Sequence, residues 1–277
     1  MSGSVPTLPL LHGAAMPRIG LGTWPMGDRE AERAVAEALA MGYRLVDTAH
    51  AYGNEAGVGR GLRASGVPRD EVFVITKLNA EWHGVDGARE AWEMSARALG
   101  LEWIDLMLIH WPNPRRDRYA EAFAGLVRLM DGGLLRAVGV SNFKPAHVER
   151  VVGATGILPD VNQIELNPYT ARPEARAHDE ALGIATQSWA PIGKGGGLLA
   201  EPAVAAVAAA HGRTPAQVVL RWHLELGCVP IPKSSDPGRL RENLAVFDFT
   251  LSEDEVRKLS ELDRGEDTAV DSDVYGH

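Results

Sequence analysis

The sequence predicts an α/β fold: a closed (β/α)8 (TIM) barrel with an N-terminal β-hairpin and two helices beyond the eight. Three observations carry that expectation. Eight short apolar runs alternate with helix-like segments, and regular βα alternation implies a parallel sheet. The runs are apolar throughout, as strands are when both of their faces are covered. The eight units fill most of the 277 residues, the size of a closed barrel. An open doubly wound sheet is the rival, and it usually carries a glycine-rich phosphate turn after its first strand. Here that turn reads GLGTWPMG, with tryptophan and proline where a helix should start. GVGRG (57–61) lies inside a helix-like stretch and follows no strand, so both are read as structural glycines.

Taken in order, residues 7–18 (TLPLLHGAAMPR) form the hairpin, with His12-Gly13 at its turn. A strand at 19–22 leads to a helix at 28–41, which sets Ala31, Val35, Ala38 and Leu39 on one face and stops at Gly42. Strand 43–47, helix 54–64, strand 72–76, helix 86–99 and strand 104–109 follow. Helix 118–130 ends at Gly132-Gly133, and strand 136–140, helix 145–153, strand 160–164, helix 173–182 and strand 184–188 continue the alternation. Beyond the loop GKGGG (193–197) come helices near 202–211 and 214–226, strand 228–231, and helices near 237–245 and 252–262. The polar tail 264–277 reads as irregular, and the whole chain, 1–277, reads as one domain.

Composition narrows the function classes. The formal net charge is −9, which argues against a nucleic-acid or anionic-membrane partner. No segment approaches the roughly 20 apolar residues of a membrane span. The N-terminus lacks the charged start and apolar stretch of a signal peptide. The single cysteine, Cys228, sits in the apolar run GCVPIP and reads as core, so no disulfide framework forms and a reducing, cytoplasmic location is expected. There is no zinc-like His/Cys spacing, no GxSxG elbow and no Walker motif, and no metal is expected.

Polar residues punctuate the apolar runs. YRLVDTA (43–49) ends near Asp47, with Tyr52 five residues on; VFVITK (72–77) ends in Lys77; WIDLMLIH (103–110) ends in His110. Buried ionisable groups are costly unless they are paired or used. The later strands end in Ser141-Asn142, Gln163, Ser188-Trp189 and Lys233-Ser234. In a barrel the C-terminal strand ends build the active site. A tyrosine backed by a lysine and an aspartate is an arrangement for moving a phenolic proton. An unperturbed tyrosine titrates at about pH 10, and an adjacent ammonium favours the phenolate and pulls that value down.

Over essentially its whole length the chain resembles the aldo-keto reductases. The matching stretches are GLGTW (20–24), DTAHAYGNEAGVGRGL (47–62), ITK (75–77), IDLMLIHWP (104–112), GVSNF (139–143), QIELNP (163–168), IPKS (231–234) and RLRENL (239–244). W-A-P in place of Y-S-P after strand seven, and the short tail, resemble the bacterial branch that includes 2,5-diketo-D-gluconate reductases. The resemblance implies NADPH-dependent reduction of aldehydes and ketones to alcohols. Tyr52 is then the proton donor, Lys77 lies beside it, Asp47 pairs with Lys77, and His110 orients and polarises the carbonyl. It further implies that Gly22, Thr23 and Trp24 border the cofactor and that Ser141, Asn142 and Gln163 hold the nicotinamide carboxamide, with Trp189 stacked on the ring. Lys233, Ser234 and Arg239 match contacts to the adenosine 2′-phosphate, and Glu242 and Asn243 contacts to the adenine.

The phosphate end carries a departure. Asp236, a helix N-cap followed by Pro237, stands where related bacterial reductases can carry arginine, and its charge should repel a dianion. NADPH is therefore expected over NADH by a reduced margin, with NADH not excluded. The substrate, a small-molecule carbonyl, is expected between Trp24, Trp82, His83 and Trp111, with Asn79 standing where many relatives have tryptophan. The tail is expected to close this cleft only loosely, and a monomer is expected. Two rivals remain at this stage. One is a nicotinamide-binding regulatory subunit on the same barrel, which the complete set Asp47, Tyr52, Lys77 and His110 disfavours. The other is a metal-dependent barrel hydrolase, for which the strand ends offer Asp47 and His110 alone.

Overall fold

The structure, a computed structural model, describes residues 5–276. Strands β1 (Thr7–Pro9) and β2 (Ala15–Pro17) pair antiparallel with Leu8 opposite Met16, and Gly13 turns the chain at φ 93°. Eight parallel strands follow in one sheet whose spatial order is the chain order: β3 (Leu21–Gly22), β4 (Leu45–Asp47), β5 (Phe73–Leu78), β6 (Ile104–Ile109), β7 (Leu135–Ser141), β8 (Val161–Glu165), β9 (Ala185–Trp189) and β10 (Val229–Pro230). The sheet closes on itself. The Gly20 and Gly22 N–H groups donate to the carbonyls of Pro230 and Pro232, each at 3.1 Å, and Gly22 bridges Lys233 in parallel. The first and last barrel strands are shorter than the sequence suggests. Pro230 and Pro232 have no N–H to donate, so the ladder at the seam runs from β3 to β10 alone.

Helices α1 (Asp28–Met41), α2 (Glu55–Ala64), α3 (Val85–Leu99), α4 (Tyr119–Asp131), α5 (Pro145–Thr155) and α6 (Pro173–Ala181) each follow a barrel strand. After β9 the chain adds α7 (Pro202–His211) before α8 (Pro215–Glu225), and after β10 it adds α10 (Glu253–Ser260) beyond α9 (Pro237–Leu244). Thr214 with Gln217 and Ser252 with Glu255 form capping boxes on α8 and α10. No described helix is long and apolar enough to cross a membrane.

The barrel interior is filled from below. Leu45, Phe73, Ile75, Leu106, Leu108, Ala137, Val161, Val229 and Ile231 form one buried cluster, and Leu10 and Met16 of the hairpin join it as a plug. His12 fastens the plug: its N–H donates to Asp160 Oδ1, and its Nδ1 meets Asp160 Oδ2, each at 2.9 Å. A larger cluster lies between the strands and α1 to α5. Cys228 is buried in a third, where burial pushes its thiol up to about 12, as suits a core residue.

The glycines of GVGRG are packing residues. A Cβ on Gly57 would lie 2.0 Å from the Asp28 carbonyl oxygen, one on Gly59 2.1 Å from the Leu99 carbonyl oxygen, and one on Gly61 2.6 Å from the Glu32 carbonyl oxygen. They let α2 lie against backbone of its two neighbours. Gly59→Val should therefore force α2 away from the end of α3 and cost about 1–3 kcal/mol, read as a lowered urea midpoint. A midpoint equal to wild type would show that this close approach does not limit packing.

Candidate active site

Strand period places the site. On β5, Phe73 and Ile75 point into the barrel core, so Lys77, two residues on, points the same way at the mouth. The same step runs from Leu45 to Asp47 on β4, from Leu106 and Leu108 to His110 after β6, and from Val161 to Gln163 on β8. These four strands are thus apolar at depth and polar at or just beyond their C-terminal ends, and the polar ends converge.

Lys77 is buried, and its three N–H donors have three acceptors: Asp47 Oδ1 at 2.6 Å, the Thr48 carbonyl at 3.0 Å and Tyr52 Oη at 3.2 Å. The other Asp47 oxygen accepts from Gln163 Nε2 at 2.7 Å, and Gln163 also donates to Gln187 Oε1. Gln187 in turn reaches Met16 Sδ at 3.5 Å, so the polar layer rests on the hairpin plug. Tyr52 is carried on a 3-10 turn, His50–Tyr52. Asn54 holds that turn: it accepts from Thr48 Oγ1 at 2.8 Å and donates to the Thr23 and Met26 carbonyls at 3.1 and 3.0 Å.

Burial would lower the Lys77 pKa, but Asp47 and Tyr52 together raise it above the ordinary lysine value, so the side chain stays an ammonium. Tyr52 departs from expectation. Burial raises its pKa above the ordinary tyrosine value, Lys77 pulls against the rise, and Asp47 adds to it. The expected net depression is absent because Asp47 offsets the charge of Lys77 and desolvation penalises the phenolate. In the free protein Tyr52 is a protonated phenol.

His110 faces Tyr52, ring centroids 5.7 Å apart. Asn142, in the left-handed region at φ 63°, donates to the His110 carbonyl and to Ser141 Oγ, both at 3.0 Å, and accepts from Trp189 Nε1 at 2.9 Å. Ser141 Oγ donates to the Gln163 carbonyl at 2.9 Å. A cleft of about 550 Å³ opens over this layer. Its lining includes Gly22, Trp24, Asp47, Tyr52, His110, Trp111, Ser141, Asn142, Gln163, Trp189 and Lys233.

Comparison with known proteins identifies the arrangement. The model of the Aldo/keto reductase family matches residues 18–264. The chain belongs to that family. A Yersinia pestis protein named methylglyoxal reductase DkgA is 44% identical over 98% of this chain and 98% of its own length. A solved variant of Gox0644 in complex with NADPH superimposes with a TM-score of 0.94, at 42% identity, covering 99% of this chain and all of that one. A Bombyx mori aldo-keto reductase in complex with NADP gives 0.88 at 33% identity, over 95% of this chain and 94% of the other. As an aldo/keto reductase, the protein is an NAD(P)H-dependent oxidoreductase of carbonyl groups.

Not every expected residue of this aldo/keto reductase reaches the cleft. Trp82 and His83 are outside its lining. After β5 the chain makes a 3-10 turn, Ala80–Trp82, with His83 at its end. Trp82 packs edge-on against His50, centroids 4.7 Å apart, and His83 is buried, its pKa lowered to about 4 by burial with Arg116 and Arg118 adding. Both border a separate polar hollow at the start of α3. Thr23 lies behind the cleft, where its Oγ1 donates to the Asp47 carbonyl at 3.0 Å.

Ser234, Arg239, Glu242 and Asn243 are carried by the β10–α9 segment, outside the lining of the cleft. Asp236 caps α9 as expected, Oδ1 accepting from the Arg239 N–H at 2.8 Å. A second carboxylate is present that sequence separation hid: Glu30 of α1 lies 3.4 Å from Lys233 Nζ. The tail is also more firmly held than expected. Lys144 Nζ pairs with Asp271 at 2.7 Å and Asp273 at 2.5 Å, His147 Nε2 with Asp273 at 2.9 Å, and Tyr275 packs edge-on against Trp111 and lines the cleft.

Because Lys77 favours the phenolate, Lys77→Met should move Tyr52 ionisation to still higher pH. Ultraviolet difference titration, with Tyr52→Phe as the blank, reads this directly. A Tyr52 transition unmoved by Lys77→Met would dissociate the two groups.

Proposed function

We propose that this protein reduces small aldehydes and ketones with NADPH, and that Tyr52 gives the substrate oxygen its proton. The observation that carries the reading is the Asp47–Lys77–Tyr52 chain at the floor of a cleft bordered by Ser141, Asn142, Gln163 and Trp189. Those four residues fit a nicotinamide: an amide needs donors and acceptors around its edge, and an aromatic face suits the flat ring. Gly22, Thr23 and Trp24 would border the same cofactor. When bound, the cofactor supplies the hydride.

The rest is the work of the chain. Tyr52 enters the reaction as a phenol and donates its proton to the carbonyl oxygen as negative charge develops there. The Lys77 ammonium then stabilises the phenolate left behind, and Asp47 keeps that ammonium in place. His110 donates a hydrogen bond to the same oxygen. Trp24 and Trp111 supply apolar walls, which select weakly among carbonyl compounds. Small dicarbonyls such as the methylglyoxal in the Yersinia pestis relative's name suit such a cleft. The chain reads as a single barrel domain acting as a monomer in the cytoplasm.

Tyr52→Phe should lower kcat for an aromatic aldehyde by about 10²–10⁴-fold while NADPH binding, followed by fluorescence quenching, stays near wild type. Substantial turnover by Tyr52→Phe would remove Tyr52 as the donor.

At the other end of the cofactor, Lys233, Ser234 and Arg239 would meet the 2′-phosphate, and Glu242 and Asn243 the adenine. Glu30 and Asp236 oppose the dianion. NADPH should be favoured over NADH in kcat/KM, and both Asp236→Arg and Glu30→Gln should widen the ratio. A preference for NADH in the wild type would overturn this assignment.

A further inference from the structure

Asn79 stands where many relatives have tryptophan, and the structure gives it a neighbour. It directly follows β5, and β5 pairs with β6 so that Leu78 lies opposite Ile109. Asn79 and His110 are therefore the next residues across the two strands, and the His110 N–H donates to the Leu78 carbonyl at 2.9 Å. The Asn79 side chain is buried, with Oδ1 placed 3.1 Å from His110 Nδ1.

A neutral imidazole carries one N–H, and whichever nitrogen lacks it accepts. An asparagine amide meets Nδ1 in either of two ways, because its oxygen and nitrogen are nearly identical in shape. With the oxygen toward Nδ1, that nitrogen holds the proton and Nε2 is bare. With the NH₂ toward Nδ1, Nε2 holds the proton. Only the second lets neutral His110 donate to a carbonyl oxygen. No hydrogen bond from elsewhere in the described residues pins the Asn79 amide, so the pair is free to adopt it.

We infer that Asn79 is a positioning residue: its amide NH₂ donates to His110 Nδ1 and holds the ring in the neutral Nε2–H tautomer that the substrate oxygen requires. The inference rests on the reductase reading of the site. It also explains how an uncharged donor is kept in a site that already holds an ammonium. Groups facing the ring among the described residues include Tyr52, with Lys77 and Asp47 behind it, Asn79 itself, and Trp111, stacked at 6.5 Å. An imidazolium beside Lys77 would add a second positive charge.

Long-range ¹H–¹⁵N correlation spectra of the labelled protein read the tautomer, with His110 assigned by the signal lost in His110→Gln. The wild type should show protonated Nε2 and bare Nδ1; the opposite tautomer overturns the inference. Asp at position 79 only accepts, so Asn79→Asp should move the proton to Nδ1. It should lower kcat/KM on the order of 10²-fold above neutral pH, with activity recovering as pH falls and the imidazolium regains Nε2–H. Asn79→Leu should lose activity without that acid recovery. A tautomer and pH profile unchanged in Asn79→Asp would overturn the assignment. The spectrum does not depend on turnover, so a protein inactive toward carbonyls but showing the expected tautomers would refute the reductase reading alone.

Discussion

A buried ammonium is the constraint on which this structure depends. Lys77 points into the mouth of the barrel with almost no exposure to water, and an unpaired charge there would cost several kcal/mol. Three acceptors remove that cost, and each comes from the end of β4 or the chain just after it: the Asp47 carboxylate, the Thr48 carbonyl and the Tyr52 hydroxyl. Satisfying one side chain therefore fixes the path of the β4 loop, and that path brings the phenol to the cleft. The electrostatics follow from the same triad. Asp47 keeps Lys77 charged, yet it also weakens the field Lys77 exerts on Tyr52, so burial decides the phenol's state in the free protein.

The rest of the barrel supports that layer. Inward positions along β4, β5, β6 and β8 change from apolar to polar as they near the mouth, and the apolar part is sealed below by Leu10 and Met16 of the hairpin. Gln163 and Gln187 connect Asp47 to β8 and β9, so the polar layer spans the barrel. Above it, Asn142 in its left-handed conformation joins Ser141, His110 and Trp189 into one rim. Hydrogen-bond networks of this kind are worth more when every member is satisfied, and here the network and the prospective ligand contacts share residues.

How much of this was legible depended on whether the cause was local. Asp47, Tyr52, Lys77 and His110 stood out because each ends or closely follows an apolar run, a pattern that buried strands impose on sequence. The N-cap role of Asp236 was legible for the same reason, since a cap is set by its next three residues. The positions of Trp82 and His83 outside the cleft lining are set by a single 3-10 turn after β5, which side-chain type does not reveal. Glu30 was missed as a neighbour of Lys233 because 203 residues separate them and only barrel closure brings them together. The tail read as loose because its ion pairs lie with Lys144 and His147, more than a hundred residues away.

By itself, then, the sequence determined the alternating architecture, the family and the identity of the groups that meet at the strand ends. Those are consequences of local periodicity and of residue types that are costly to bury without a use. Tertiary structure decided the quantities that depend on distance. These are the direction of the Tyr52 pKa, the company that Asn79 keeps with His110, the carboxylates around Lys233 and the anchoring of Tyr275 over Trp111. The physical reason is that electrostatic and hydrogen-bond energies depend on separation in space, and closing an eight-stranded sheet makes neighbours of residues that the chain holds far apart.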